Sequence, residues 1–139
     1  MGDTTFIASS AGGLTFTGQG TGNTLELGSS TGLLTIDADN LVVEGLQPGY
    51  GGATTDTFSD IQTFEGNIGA GGTTFLGGPG DNAFEGEGTG TNTLSYAAST
   101  GSVTIDAATG TAQNGFGGTD SFSDIQSFVG SERRQHLHQ

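Results

Sequence analysis

The chain has 139 residues, 28 of them glycine, and carries 15 acidic side chains against two basic ones, for a formal net charge of −13. It lacks lysine and cysteine, and both arginines, Arg133 and Arg134, stand near the C-terminal end. That balance argues against nucleic acid, whose phosphates need cationic neutralisation. It argues equally against an anionic membrane surface, and it removes disulfides, thiolate metal sites and thiol catalysis. Hydrophobic residues reach only 31%, a composition that with high charge ordinarily means disorder, yet here they are regularly spaced, which argues for order. Carboxylates on a compact body repel one another, so two readings of the acidity stand side by side: solubility, or a cation partner such as Ca²⁺.

No stretch approaches the roughly 18 apolar residues of a membrane span, so membrane insertion is not expected. Met1-Gly2-Asp3 lacks the basic start and apolar run of a signal peptide; if the protein is exported, the address is expected outside this chain. Thr4 to Ile7 and Leu14 to Thr17 read as short strands broken by Ala11-Gly12-Gly13, because β-branched and aromatic residues between glycines are the strand signal. Asn23 to Leu27 alternates, with Leu25 and Leu27 on one face. Leu33 to Ala38 is a further strand; its later counterpart, Ser102 to Ala107, turns Val103 and Ile105 inward and Thr104 and Asp106 outward. Leu41-Val42-Val43 follows, then the turn signal Gln47-Pro48-Gly49.

Two copies of one unit account for most of the chain. Asn23-Thr24-Leu25 returns as Asn92-Thr93-Leu94, and Thr35-Ile36-Asp37-Ala38 as Thr104-Ile105-Asp106-Ala107. Phe58-Ser59-Asp60-Ile61-Gln62 returns as Phe122-Ser123-Asp124-Ile125-Gln126, Gly18 as Gly86, and Thr4-Thr5-Phe6-Ile7 as Thr73-Thr74-Phe75-Leu76. The first copy carries a five-residue excess around Leu41 to Tyr50 and lacks one residue before Asn23. The units are residues 1–67 and 68–131. Phe58, Ile61 and Phe64, like Phe122, Ile125 and Phe128, are spaced by threes, which fits one helical turn or a tight β-arc. Ser59-Asp60 and Ser123-Asp124 favour the arc, because both side chains bond locally to backbone.

A shorter beat of nine runs through residues 68–95, where Phe75, Phe84 and Leu94 align. Gly77, Gly78, Gly80 and Phe84 fit the nonapeptide GGxGxDxUx, in which U is a large apolar residue and the repeat is a Ca²⁺-binding β-roll. The sixth position holds Asn82, Asn92 in the following unit and Thr73 in the preceding one. On these residues the body from Asp3 to Ser131 resembles the degenerate repeat regions of RTX-type (hemolysin-type calcium-binding repeat) exported bacterial proteins. The resemblance implies a right-handed parallel β-solenoid, secretion to the cell surface or medium, and Ca²⁺-triggered folding. It also implies a metal site near Gly77, Gly78, Gly80, Asp81, Asn82 and Asn92. There, glycine-rich turns supply carbonyl oxygens to a hard cation, Asn contributes an uncharged carbonyl, and Asp81 stands one place early.

Residues 132–139 depart from the repeat and hold every basic residue and both histidines, His136 and His138. Codons for this tail read one nucleotide further on can encode Ser-Ala-Gly-Asn-Thr-Phe-Ile, close to the start of both copies. A frameshifted third unit and a tail of recombinant origin are both open, and the gene sequence distinguishes them.

Serine and cysteine triads are unavailable without histidine or cysteine in the body. Paired carboxylates remain, but Asp37 with Asp106, and Asp60 with Asp124, occupy repeat-equivalent strand-end and turn positions. The expectation is therefore an all-β parallel solenoid of two long repeats, Leu25, Ile36, Phe58, Ile61 and Phe64 lying over Leu94, Ile105, Phe122, Ile125 and Phe128. Fewer than three such units are marginal alone, so self-association or neighbouring repeats are expected. The expected function is a non-catalytic, extracellular structural or adhesive module. Two alternatives are an ice- or glycan-binding module using Thr4, Thr24, Thr35, Thr73, Thr93 and Thr104, and the repeat segment of a secreted hydrolase or toxin.

Overall fold

A computed structural model describes residues 4–8, 15–27, 34–44, 56–130 and 135–138. The expected Ala11-Gly12-Gly13 break and Gln47-Pro48-Gly49 turn lie outside these residues. The described residues are all β, without a helix, and form fifteen short strands. The first seven are β1 (Thr5–Ala8), β2 (Thr15–Thr17), β3 (Thr24–Leu27), β4 (Leu34–Asp37), β5 (Val42–Glu44), β6 (Asp56–Ser59) and β7 (Thr63–Glu65). The next seven are β8 (Thr73–Leu76), β9 (Ala83–Glu85), β10 (Thr93–Ser95), β11 (Val103–Asp106), β12 (Thr111–Gln113), β13 (Thr119–Ser123) and β14 (Ser127–Val129), followed by β15 (Gln135–His138). Sheet I runs β1-β3-β7-β9-β13-β12-β11-β15, and sheet II runs β14-β10-β8-β4-β5-β6-β2.

Both sheets are mixed, which corrects the expectation of a purely parallel ladder. The antiparallel pairs are β4–β5–β6 in the first unit and β11–β12–β13 in the second. Their cause is a turn after the Thr-Ile-Asp-Ala strand. Asp37 Oδ1 accepts the N–H groups of Asp39 and Asn40 at 3.0 Å each, and Asp106 Oδ1 accepts those of Ala108 and Thr109. Leu41 (φ 63°) and Gly110 (φ 71°) then reverse the chain, each donating its N–H to the carbonyl of Asp37 or Asp106. The Asx geometry supplies a backbone turn where a strand signal alone reads straight on.

The unit is repeated pairing for pairing. Leu25 pairs with Phe64 as Leu94 pairs with Phe128. Phe16 pairs with Phe58 as Phe84 pairs with Phe122, and Ile36 with Val43 as Ile105 with Ala112. The first copy's sequence excess falls between β5 and β6, largely in residues outside the described set, and leaves every pairing unchanged.

The copies are not laid equivalent over equivalent, contrary to expectation: Leu25 stands in sheet I and Leu94 in sheet II. Most connections carry the chain from one sheet to the other, but the two antiparallel turns of each unit, β4–β5–β6 and β11–β12–β13, keep it in place. One unit therefore contains an odd number of crossings, and the next unit starts in the opposite sheet. Copies meet instead through β4–β8, where Ile36 pairs with Phe75, and β7–β9, where Phe64 pairs with Phe84.

Inward residues fill a single core between the sheets. Leu25, Ile36, Phe75, Phe84, Leu94 and Tyr96 are completely buried. Phe64 and Phe84 stack at 5.6 Å between centroids, and Phe75 meets Phe84 at 5.3 Å; such ring pairs add to the burial itself. Val103 and Ile105 point inward, as the alternation requires. Phe58, Ile61 and Phe64 are buried, whereas their counterparts Phe122, Ile125 and Phe128 are only partly so. The Phe58–Phe64 segment is an arc: β6 in sheet II passes through Asp60 (φ 56°) into β7 in sheet I.

Candidate functional site

The recurring Asn-Thr-Leu and Ser-Asp-Ile-Gln strings meet in space. The N–H of Asn23 donates to Gln62 Oε1 at 2.9 Å, and the Asn23 carbonyl accepts the N–H groups of Gln62 and Thr63. Asn23 Oδ1 accepts the Thr4 N–H, and Nδ2 donates to the carbonyls of Gln19 and Asp60. The second copy reproduces this with Asn92, Gln126, Thr73, Glu87 and Asp124. Each node closes an arc onto the preceding loop and satisfies polar groups that would otherwise be costly to bury.

The residues expected to hold a metal fall in two places. Gly77 to Asn82 form the β8–β9 connection, while Asn92 lies at the end of the β9–β10 connection, beyond the other end of β9. Asn92 is buried, and both ends of its amide are engaged in the node just described. A Cβ on Gly77 would enter the Tyr96 ring, and one on Gly78 would reach the Ala38 carbonyl at 2.6 Å. These two glycines therefore admit close packing. Gly80 has φ 90° and open space around it. Asp81 Oδ1 accepts the Thr119 N–H at 2.8 Å, and the Asn82 side-chain amide donates to the Pro79 carbonyl at 3.3 Å.

Beneath that connection lies a buried polar cluster that sequence reasoning missed. Asp120 is 1% exposed; its Oδ2 accepts the Tyr96 hydroxyl at 2.7 Å, and its Oδ1 accepts the Asn82 N–H and Asn114 Nδ2. Asn114 Nδ2 also donates to the Gly80 carbonyl at 2.8 Å. Burial pushes the Asp120 carboxyl up to about 6 against the pull of these three donors, with Asp81 adding a smaller push. Burial and the adjoining carboxylate raise the Tyr96 phenol as well, so it stays a donor. Leu27 stands where the second copy has Tyr96, so the cluster belongs to that unit. The sequence signal was weak, a Thr-Asp pair before Phe122.

The outer face of sheet I carries a row of acids also missed in sequence. Glu26 pairs with Glu65, and Glu65 with Glu85, on successive parallel strands. Like charges directly opposite one another are destabilising. Glu87 joins them: the carboxylate oxygens of Glu65, Glu85 and Glu87 lie within 4.8 Å of one another. Partial burial raises the Glu65 carboxyl, with Glu26, Glu85 and Glu87 adding to the rise. Three converging carboxylates are hard oxygen ligands of the kind Ca²⁺ and Mg²⁺ take. The legible hint was Phe-Glu-Gly at 64–66 returning at 84–86, a spacing of two strands in one sheet.

The threonines expected to form a lattice divide between sheets. Thr35 and Thr93 stand in one column of sheet II with Thr74 between them. Thr104 stands in sheet I between Gln113 and His136, and Thr4 precedes β1 with its N–H on Asn23 Oδ1. Thr24 stands in sheet I in a column between Thr5 and Thr63. On sheet I the neighbouring column is the glutamate row. Thr73 is buried, its hydroxyl accepting the Asn67 N–H at 2.7 Å. The aspartates considered for catalysis are turn residues: Asp37 and Asp106 hold their Asx turns, and Asp60 and Asp124 hold the left-handed arc positions. Compared with known proteins, the chain matches no family model, no curated protein and no solved structure.

Proposed function

We propose that this chain is a non-catalytic structural or adhesive repeat module of an extracellular, RTX-like kind. In this reading its parallel ladders are a right-handed β-solenoid winding with antiparallel inserts, and Ca²⁺ binds the acidic face of sheet I. The carrying observation is the convergence of Glu65, Glu85 and Glu87 beside Glu26 in a body that has no lysine or arginine before Arg133. The non-catalytic part is supported by the absence of histidine, lysine and cysteine from residues 1–131 and by the turn roles of the paired aspartates. The extracellular part is supported by the sequence resemblance.

Thermal unfolding followed by circular dichroism, with Ca²⁺ titrated into chelator-treated protein and Mg²⁺ as control, tests this. Ligand at a hundred times its dissociation constant stabilises by about 2.7 kcal/mol, several degrees in midpoint for a domain of this size. The Glu65→Gln/Glu85→Gln variant is expected to lose that response and to be more stable than the parent without metal. A flat Ca²⁺ response of the parent removes the cation part. A response retained by the variant moves the site away from sheet I.

A further inference from the structure

We infer that the β11–β14 end of the molecule is a head-to-tail docking surface for the β1–β2 end of a second copy of this chain. This rests on the reading of the chain as a structural repeat module and specifies its partner, polarity and register. Sheet I ends at β1 and β15, and sheet II at β2 and β14. Inside the chain, the second unit docks on the first by laying β8 on β4 and β9 on β7, both parallel. The equivalents of β4 and β7 at the far end are β11 and β14. The equivalents of β8 and β9 at the near end are β1 and β2. The two ends of the molecule are thus the two halves of a junction that the chain already makes once internally.

Burial gives an independent indication. At the internal junction Phe64, Phe75 and Phe84 are at most 1% exposed, with Phe58 and Ile61 also buried. Their counterparts at the ends, Phe6, Phe16, Phe122, Ile125 and Phe128, are among the described residues the apolar ones packed against the core but only partly covered. Rings are already arranged alike: Phe6 and Phe16 stand 5.7 Å apart at one end, and Phe122 and Phe128 5.1 Å apart at the other. The internal register of Phe64 on Phe84 translates to Phe128 on Phe16 of the second copy, with Ser127 on Thr15 and Val129 on Thr17. Such a contact is heterologous, so it propagates rather than closing.

β15 occupies half of this surface. It pairs with β11 as β8 pairs with β4: Thr104 meets His136 as Thr35 meets Thr74, and Ile105 meets Leu137 as Ile36 meets Phe75. The strand therefore stands where the first strand of a following unit would stand, and it competes with β1 of the second copy, while β14 has no strand on its outer edge among the described residues. His136→Pro, which removes a main-chain donor from the middle of β15, is expected to strengthen association on the order of tenfold.

Two single-cysteine variants of the full chain, Thr17→Cys and Val129→Cys, test the register, since the protein has no other thiol. Mixed and treated with a short bis-maleimide, they are expected to yield the 17–129 cross-linked dimer in preference to either symmetric one. The Thr17→Cys/Val129→Cys double variant is expected to give a ladder of multimers. β2 and β14 are six strand spacings apart within one sheet, roughly 29 Å, so the short linker cannot close within one molecule. Sedimentation velocity of the unmodified protein and of the His136→Pro variant checks the concentration dependence. Symmetric dimers in excess, or monomers throughout with no cross-link, overturn the proposal. Circular dichroism on the same samples separates the readings: a monomeric β protein that responds to Ca²⁺ sinks the docking alone, and an associating protein indifferent to Ca²⁺ sinks the cation reading alone.

Discussion

Gln126 Oε1 accepts the N–H of Asn92 at 2.8 Å while the Asn92 carbonyl accepts the N–H groups of Gln126 and Ser127. This reciprocal pair ties the last arc of the second unit to a loop 34 residues earlier, and Gln62 with Asn23 does the same in the first. Both amide ends of Asn92 are used, one accepting from Thr73 and the other donating to Glu87 and Asp124. Asn92→Ala is therefore expected to destabilise by about 3 kcal/mol, since it orphans buried backbone groups. Asn92→Asp removes the two donors and adds a buried charge, and it should cost at least as much. Urea denaturation of both variants, with and without Ca²⁺, checks this. A metal-ligand role for Asn92 requires the opposite, an aspartate variant rescued by Ca²⁺.

Gly86 closes the same node from the other side. A Cβ there would enter the Asp124 carbonyl and approach Asn92 Nδ2 at 2.6 Å. Neither obstacle is the free end of a flexible chain, so Gly86→Ala is expected to lose about 2 to 4 kcal/mol. Gly80→Ala is the contrast. It meets no atom within 4 Å, and its cost is limited to the left-handed backbone, about 1 to 2 kcal/mol. Denaturation midpoints of the two variants measure the difference.

Asp120 makes stability depend on pH in a direction opposite to a salt-bridged carboxylate. Its folded value near 6 lies above the ordinary 3.8, chiefly through burial. The stabilisation of the neutral form is thus complete below about pH 4 and is lost as pH rises through 6. The loss is on the order of 3 kcal/mol between those limits. Asp120→Asn keeps an acceptor for Asn82 and Asn114 and can donate to the Tyr96 oxygen. The variant should match the parent near pH 4 and exceed it near pH 7. Chemical denaturation across pH 4 to 7.5 reads this difference; parallel curves would mean that Asp120 ionises normally when folded.

Leu41 holds a left-handed conformation that the second copy gives to Gly110, at φ 63° against 71°. Each donates to an aspartate carbonyl four residues back, and each accepts from the Phe58 or Phe122 N–H. Leu41 is 44% exposed, so little burial is lost on truncation. Leu41→Gly is expected to stabilise by about 0.5 to 1 kcal/mol, backbone relief outweighing the entropy glycine gains on unfolding. Thermal midpoints of parent and variant decide it.

Much of this molecule is written locally. Alternation in Thr24–Leu27 and Val103–Asp106 names the inward residues, glycine punctuation bounds the strands, and recurrence of Asn-Thr-Leu and Ser-Asp-Ile-Gln marks the unit, because each depends on side chains a few positions apart. Residues such as Leu25, Ile36, Phe64 and Leu94 were legible as core on that basis. Which sheet each strand joins was not legible. It depends on how many times the chain crosses, and the Asx turns that, with the reversals following them, hold β4 to β6 and β11 to β13 in one sheet look like ordinary strand ends in sequence. The partners of Asn92, the gathering of Glu65, Glu85 and Glu87, and the burial of Asp120 beside Tyr96 likewise come from residues far apart along the chain. Their energies are set by packing that exists only when both sheets have closed on one core.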